Sequence, residues 1–268
     1  MAKCKSTFKG GYFFKRFKGI PRAEIVDMGI PKCVVIPFPH EFGNISEFLT
    51  VGTKVKAGQV LAKKEKSVLA TINGTIKELK EIEYKDKKIQ VAVIESDNSD
   101  NYEKISDFNE DFDKLSADEI GKIVNLAGML IPTNESHHSL APKDVKHVVI
   151  RGLETHPFAL PANILCDNKI AEVAKGIKIL KKLYPNSSVY VGISKKDCSF
   201  IKSLKNELGN EDKVYVQALK PKYPQELSEI LVETLTGEKV PDNKFPCSIG
   251  AIVVNISDVA AIYEAVAT

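Results

Sequence analysis

Thiols and imidazoles are the residue types in this sequence most able to hold a metal or carry electrons, and their spacing argues against both roles. The five cysteines, Cys4, Cys33, Cys166, Cys198 and Cys247, form no C-x-x-C pair. Iron–sulfur clusters and structural zinc need closely spaced thiolates, so no iron–sulfur cluster is expected in this chain. An odd set of thiols without pairing rhythm suits a reducing compartment. His137-His138 and His147 invite a metal reading. Adjacent histidines on the polar stretch Thr133–Ser139 lack a third ligand in register, so no metal is expected. Lys63, Lys64 and Lys66 crowd one turn and read as a solvated, unmodified charged turn. Residue type and spacing assign no catalytic residue.

Whatever chemistry exists must be positioned by the elements around it. Apolar residues make up 43% of 268 residues and charged residues 27%, enough to bury a core. Lys and Arg total 38 against 35 Asp and Glu, too balanced to imply nucleic acid. Met1–Thr7 carries no secretory signal, and Ile249–Ala267 is too interrupted by Asn255, Ser257, Asp258 and Glu264 to span a membrane unaided.

The first part reads as short strands. Cys33–Phe38 is β-branched, Val51–Leu61 alternates apolar and polar positions around two glycines, and Lys88–Glu95 closes the set. Val68–Ile72 and Thr75–Ile82 flank Asn73-Gly74, which predicts a hairpin with a type I′ turn. Ser96–Lys114 turns polar and reads as a linker. Ser116-x-x-Glu119 is a capping box, and strands then alternate with helices: Val145–Ile150, Asn168–Leu183, Ser188–Ile193, a helix from Ser194-x-x-Asp197, Lys213–Leu219, Pro224–Leu235, Ile249–Val254 and Ser257–Val266. Proline at the first turn opens the helix at Tyr223-Pro224. Alternation of this kind implies right-handed crossovers and a parallel sheet. The expected organisation is an all-β domain over residues 1–97, a linker over 98–115 and an α/β domain over 116–268.

The V-G-x-x-V-x-x-G-Q run of Val51–Gln59 resembles lipoyl and biotinyl carriers in architecture. Only 16 positions separate Gly58 from Gly74, however, short of the spacing that presents a modified lysine. A wider resemblance covers nearly the whole chain. Thr7-Phe8-Lys9-Gly10-Gly11, Val35-Ile36-Pro37, Val51–Gln59 and Ala70–Ile76 resemble the C subunit of the Rnf electron-transport complex. So do Lys222-Tyr223-Pro224-Gln225, Leu235–Pro241 and Pro246–Asn255. The A subunit of the sodium-pumping NADH:quinone reductase shares part of the pattern. The resemblance implies a lipoyl-like barrel-sandwich hybrid followed by a Rossmann-like parallel-sheet domain similar to the flavin subunit of respiratory complex I.

In that family a G-x-G-G-A-G-F-P loop approaches the flavin, since glycines let backbone amides reach a phosphate. The matching stretch here, Asn125–Pro132, keeps only Gly128 and Pro132, and it also reads as a helix C-terminus capped by Gly128. The family's second flavin segment, N-G-A-E-C-E-P, matches Arg151–Pro157, where Glu154 is kept and His156 replaces an acid. Ligands in open α/β sheets sit beyond the carboxyl ends of strands, which leaves Glu154 and His156 placed for something polar; an exposed loop capped by Glu154 is the other reading. Gly128, Glu154 and His156 are therefore the positions of a degenerate FMN or NADH site, and no cofactor is expected to bind tightly. Members of that family extend into a further small domain and two ferredoxin-like cysteine clusters that this chain lacks, which implies a shortened form or a natural short relative. The resemblance implies a protein peripheral to the inner, cytoplasmic face of the cell membrane. Its partners would be the membrane subunits of an ion-translocating NADH- or ferredoxin-linked complex, and it would be inactive alone. The alternatives are a flavin- and NADH-binding dehydrogenase module and a stand-alone binding module similar to microcompartment relatives.

Overall fold

The computed structural model describes residues 5–14, 27–64, 67–100, 112–128, 131–132, 137–138, 145–156 and 168–267. Six strands come first: β1 (Cys33–Phe38), β2 (Lys54–Val55), β3 (Val60–Lys63), β4 (Ser67–Leu69), β5 (Gly74–Tyr84) and β6 (Lys87–Ser96). The order β1-β6-β5-β2 forms an antiparallel sheet, and β3 pairs with β4. Along β1, Ile36 and Phe38 are buried while Val35 and Pro37 face out, the period of two expected of a half-buried strand. They meet Phe42, Ile45, Leu49, Leu61, Ile72, Ile76 and Ile94 in one apolar core.

The hairpin predicted at Asn73-Gly74 does not form. β4 pairs with β3, while β5 pairs with β6 and β2. Asn73 is buried, and its side chain accepts from the Ala57 amide at 2.7 Å and donates to the Ser99 carbonyl at 2.9 Å. Gly74 is required by proximity, because a Cβ there would lie 2.0 Å from the Glu95 carbonyl oxygen. The real hairpin turns at Lys85 and Asp86, which hold φ of 49° and 60° without any glycine. Lys64, in the lysine-rich turn, contacts the Glu41 carbonyl and lies over the Phe42 ring.

The second part opens with α1 (Ala117–Leu126), capped at Ser116 by the full capping box with Glu119. A short pair, β7 (Ile131–Pro132) and β8 (His137–His138), precedes β9 (His147–Gly152). Then follow α2 (Ile170–Leu183), β10 (Ser188–Ser194), α3 (Cys198–Leu208), β11 (Val214–Leu219), α4 (Ser228–Thr236), β12 (Ala251–Asn255) and α5 (Ile256–Ala267). The sheet is parallel in the order β11-β10-β9-β12. Both faces are covered, so successive residues of one strand are all buried. Val148 and Ile150 pack against α1, α2 and α5, while Val149 packs against Leu231, Val232 and Leu235 of α4.

Two helix starts differ from the sequence expectation. The helix read from Pro224 starts only at Ser228, and the Tyr223-Pro224 peptide is cis. Residues 222–227 are drawn into a turn and an antiparallel bridge, in which Tyr12 and Tyr223 exchange backbone hydrogen bonds of 2.8 and 2.9 Å. The helix after β10 begins at Cys198, and Asp197 gives it no side-chain cap. Residues 5–14 thus lie on the α/β part: the Lys5 amide donates to the Thr234 carbonyl, and the Lys220 amide to that of Ser6.

Candidate functional site

Strand order creates the candidate site. From β9 the chain proceeds outward through β10 and β11, then returns to place β12 on the other side of β9. The reversal makes a switch point between β9 and β12, where a crevice opens beyond the carboxyl ends of the strands. Arg151 and Asn255 face each other in register across it. The Arg151 guanidinium donates through Nε and Nη2 to Asn255 Oδ1, at 2.9 and 2.6 Å, and through Nη1 to the Glu226 carbonyl at 3.1 Å. Asn255 Nδ2 in turn donates to Asp258 Oδ2 at 2.9 Å. The crevice is clasped by the protein's own side chains.

Beside this clasp lies a buried acid. The Glu226 side chain is 4% exposed, and its Oε1 lies 2.8 Å from His156 Nδ1. Burial pushes the Glu226 carboxyl above the usual carboxylate range, and the charge of Glu154 adds to this, while His156 and Arg151 pull the other way. Gln225 is fully buried, and Thr155 nearly so. Gln225 Nε2, Thr155 Oγ1 and Glu226 Oε2 lack a hydrogen-bond partner among the described residues, and Glu226 Oε1 has only the His156 ring beside it.

The N-terminal segment covers this cluster. Thr7 Oγ1 donates to Gln225 Oε1 at 3.3 Å, and the buried Lys222 donates to the Phe8 carbonyl at 2.7 Å with its ammonium over the Phe8 ring. Tyr12, Phe14, Tyr223 and His156 form a run of edge-to-face ring contacts with centroids 5.2, 5.5 and 5.2 Å apart.

Of the residues singled out from sequence, Glu154 and His156 belong to this cluster, and Gly128 does not share a hydrogen bond or ion pair with them among the described residues. Gly128 ends α1 with φ 71°, its amide donating to the Asn125 carbonyl, and a Cβ there would stand 3.3 Å from the Ser67 carbonyl oxygen. It is the left-handed residue closing a helix, set against β4. Met129, Leu130 and Pro157 lie outside the described residues. His137 and His138 sit in β8, and His147 Nε2 is 3.0 Å from Glu238 Oε1. Among the described residues no three His, Cys, Asp or Glu side chains converge as a metal site would require. Sequence reasoning missed Arg151, Gln225, Glu226 and Asn255 as site residues. The available signal was polar residues at the ends of two apolar strands and a Gln-Glu pair next to Pro224.

Two family models match the chain. Residues 6–99 match the RnfC barrel sandwich hybrid domain, and residues 119–264 match the Nuo51 FMN-binding domain. The chain is similar to the C subunit of the proton-translocating ferredoxin:NAD(+) oxidoreductase complex of Clostridium ljungdahlii, at 29% identity over 97% of this chain and 60% of that protein. It is 27% identical to the C subunit of the Na(+)-translocating ferredoxin:NAD(+) oxidoreductase complex of Acetobacterium woodii, over 98% of this chain and 62% of that one. The chain thus spans about three fifths of the length of these relatives. Among solved structures, an air-oxidized NAD+-reducing NiFe-hydrogenase chain aligns at 14% identity with a TM-score of 0.47, over 58% of this chain and 32% of that one.

Proposed function

The chain belongs to the family of C subunits of ion-translocating ferredoxin:NAD(+) oxidoreductase complexes, and we propose that it serves such a complex as a scaffold and docking subunit, its redox centres lying elsewhere. Its partners in this reading are the membrane subunits of an Rnf- or Nqr-type complex, to which it docks on the cytoplasmic face. Among the described residues no helix is long and apolar enough to cross a membrane.

The family match implies FMN, so the site is judged by what a flavin phosphate needs. A phosphate dianion is held by free backbone amides in a glycine-rich loop or by uncommitted cations. The observation that carries the proposal is the Arg151 clasp. Its guanidinium, at the switch point, is already spent on Asn255 and the Glu226 carbonyl. Around it stand Glu154, Glu226 and Asp258, three acids that repel a phosphate. Gly128, the glycine retained from the family's loop, is used to end a helix. The described residues do not fit a phosphate.

Titrating FMN into the purified chain while following flavin fluorescence tests this. No saturable quenching at micromolar concentrations is expected; a micromolar midpoint would replace the scaffold with the dehydrogenase reading. Co-expression with the membrane subunits of a related complex should carry the chain into the detergent-solubilised assembly on a native gel. A chain that stays monomeric beside an intact assembly would remove the docking role.

A further inference from the structure

Charge is unevenly distributed along the chain. Residues 1–23 hold seven of the 38 Lys and Arg and none of the 35 Asp and Glu. The remainder is therefore net negative, and a chain of small overall charge is strongly basic at one end. Rings are interleaved with these cations: Tyr12, Phe13 and Phe14 precede Lys15 and Arg16, and Phe17 precedes Lys18.

The fold displays the start of this stretch as a fixed surface. Tyr12 and Tyr223 exchange backbone hydrogen bonds of 2.8 and 2.9 Å. Gly11 permits that approach, because a Cβ there would lie 2.5 Å from the Tyr223 carbonyl oxygen and 2.4 Å from the Phe8 ring. Phe8 itself is held under the Lys222 ammonium. Beyond this anchorage Tyr12 is 62%, Phe13 54% and Phe14 44% exposed, and Lys5 and Lys9 of the same segment are exposed as well. Single apolar residues in water are ordinary, whereas three consecutive rings held in the open on a basic segment mark a surface that something covers.

The side chains indicate what covers it. Aromatic rings favour the boundary between lipid headgroups and acyl chains, and Lys and Arg meet anionic headgroups there. A nucleic acid would need ring faces free for its bases to stack on. Here Tyr12 and Phe14 meet at 73°, and Phe14 and Tyr223 at 63°, which is edge-to-face packing and no stacking platform. A fluid lipid boundary requires no such register.

We propose that Tyr12, Phe13 and Phe14, with Lys5 and Lys9 of the same segment, dock the protein directly on an anionic lipid bilayer. The rings enter the headgroup boundary and the lysines meet the headgroup charge. The partner is lipid, so the inference goes beyond the scaffold reading and does not need the membrane subunits.

Flotation of the full chain with vesicles of equal parts phosphatidylglycerol and phosphatidylcholine, against phosphatidylcholine alone, tests it. Binding is expected to the anionic vesicles only and should fall as salt is raised. Phe13→Ser should weaken it about 10-fold through loss of one inserted ring. Lys5→Gln combined with Lys9→Gln should weaken it about 10- to 30-fold. Thermal melts of the variants confirm folding. Failure to float with anionic vesicles overturns the proposal and leaves docking to the membrane subunits standing. Binding that Phe13→Ser does not change and that a duplex oligonucleotide displaces also overturns it, since it marks a general polyanion surface. Ring-dependent vesicle binding by a chain that stays outside the assembly on a native gel upholds the proposal and removes only the scaffold reading.

Discussion

At residue 226 a carboxylate is held out of water with one imidazole at its edge and an arginine engaged on its own backbone carbonyl. Burial raises its pKa, so its charged form is less favourable in the folded protein than in the unfolded chain. Below the ordinary Glu value of about 4.3 both folded and unfolded states are protonated and no penalty exists. As pH rises through the elevated folded value the charge must form in a dry site, and stability is lost. Glu226→Gln should therefore melt higher than the parent at pH 7, by about 2–4 °C for each 1 kcal/mol relieved. The advantage should vanish as pH falls towards 4. Melting curves for both proteins across that range check this, and an advantage independent of pH would contradict it.

Elements are fixed by single positions that the chain cannot easily change. The Ser116 and Glu119 side chains satisfy each other's backbone amides, so Ser116→Ala should cost about 1 kcal/mol in urea denaturation. Gly74 lies so close to the Glu95 carbonyl that β5 and β6 must separate to admit a methyl group. Gly74→Ala should cost about 1–3 kcal/mol, with the loss reported by the N-terminal sheet. An unchanged midpoint for Gly74→Ala would mean that this close approach is not retained in solution.

For the whole molecule, the polar composition of residues 98–115 between two differently patterned parts keeps the two-domain division as a proposal. Limited proteolysis should cut first within that stretch and release fragments near residues 1–97 and 116–268. First cuts inside 51–82 would count against the division. The backbone hydrogen bonds that Lys5 donates, Ser6 accepts and Tyr12 exchanges with the α/β part add a further expectation. The 1–97 fragment should therefore stay associated with the 116–268 fragment after cleavage until denaturant is added.

Much of the architecture was legible because it is written in local periodicity. The bounds of β1, the capping box at Ser116, the strands doubly buried in the second part and the helix–strand alternation all follow from side chains a few residues apart. Asn73-Gly74 misled the reading because the same residues that favour a tight turn can also brace a buried backbone and admit a close strand. The site lay further out of reach. Glu154 and His156 were found from a segment after a strand, but Arg151 meets Asn255 across 104 positions and Thr7 meets Gln225 across 218. Such pairs depend on the order of strands in the sheet and on where the chain returns. The period of a strand specifies which face is buried and says nothing about its neighbours, so only the tertiary structure could bring an arginine, a buried acid and the N-terminal segment to one crevice.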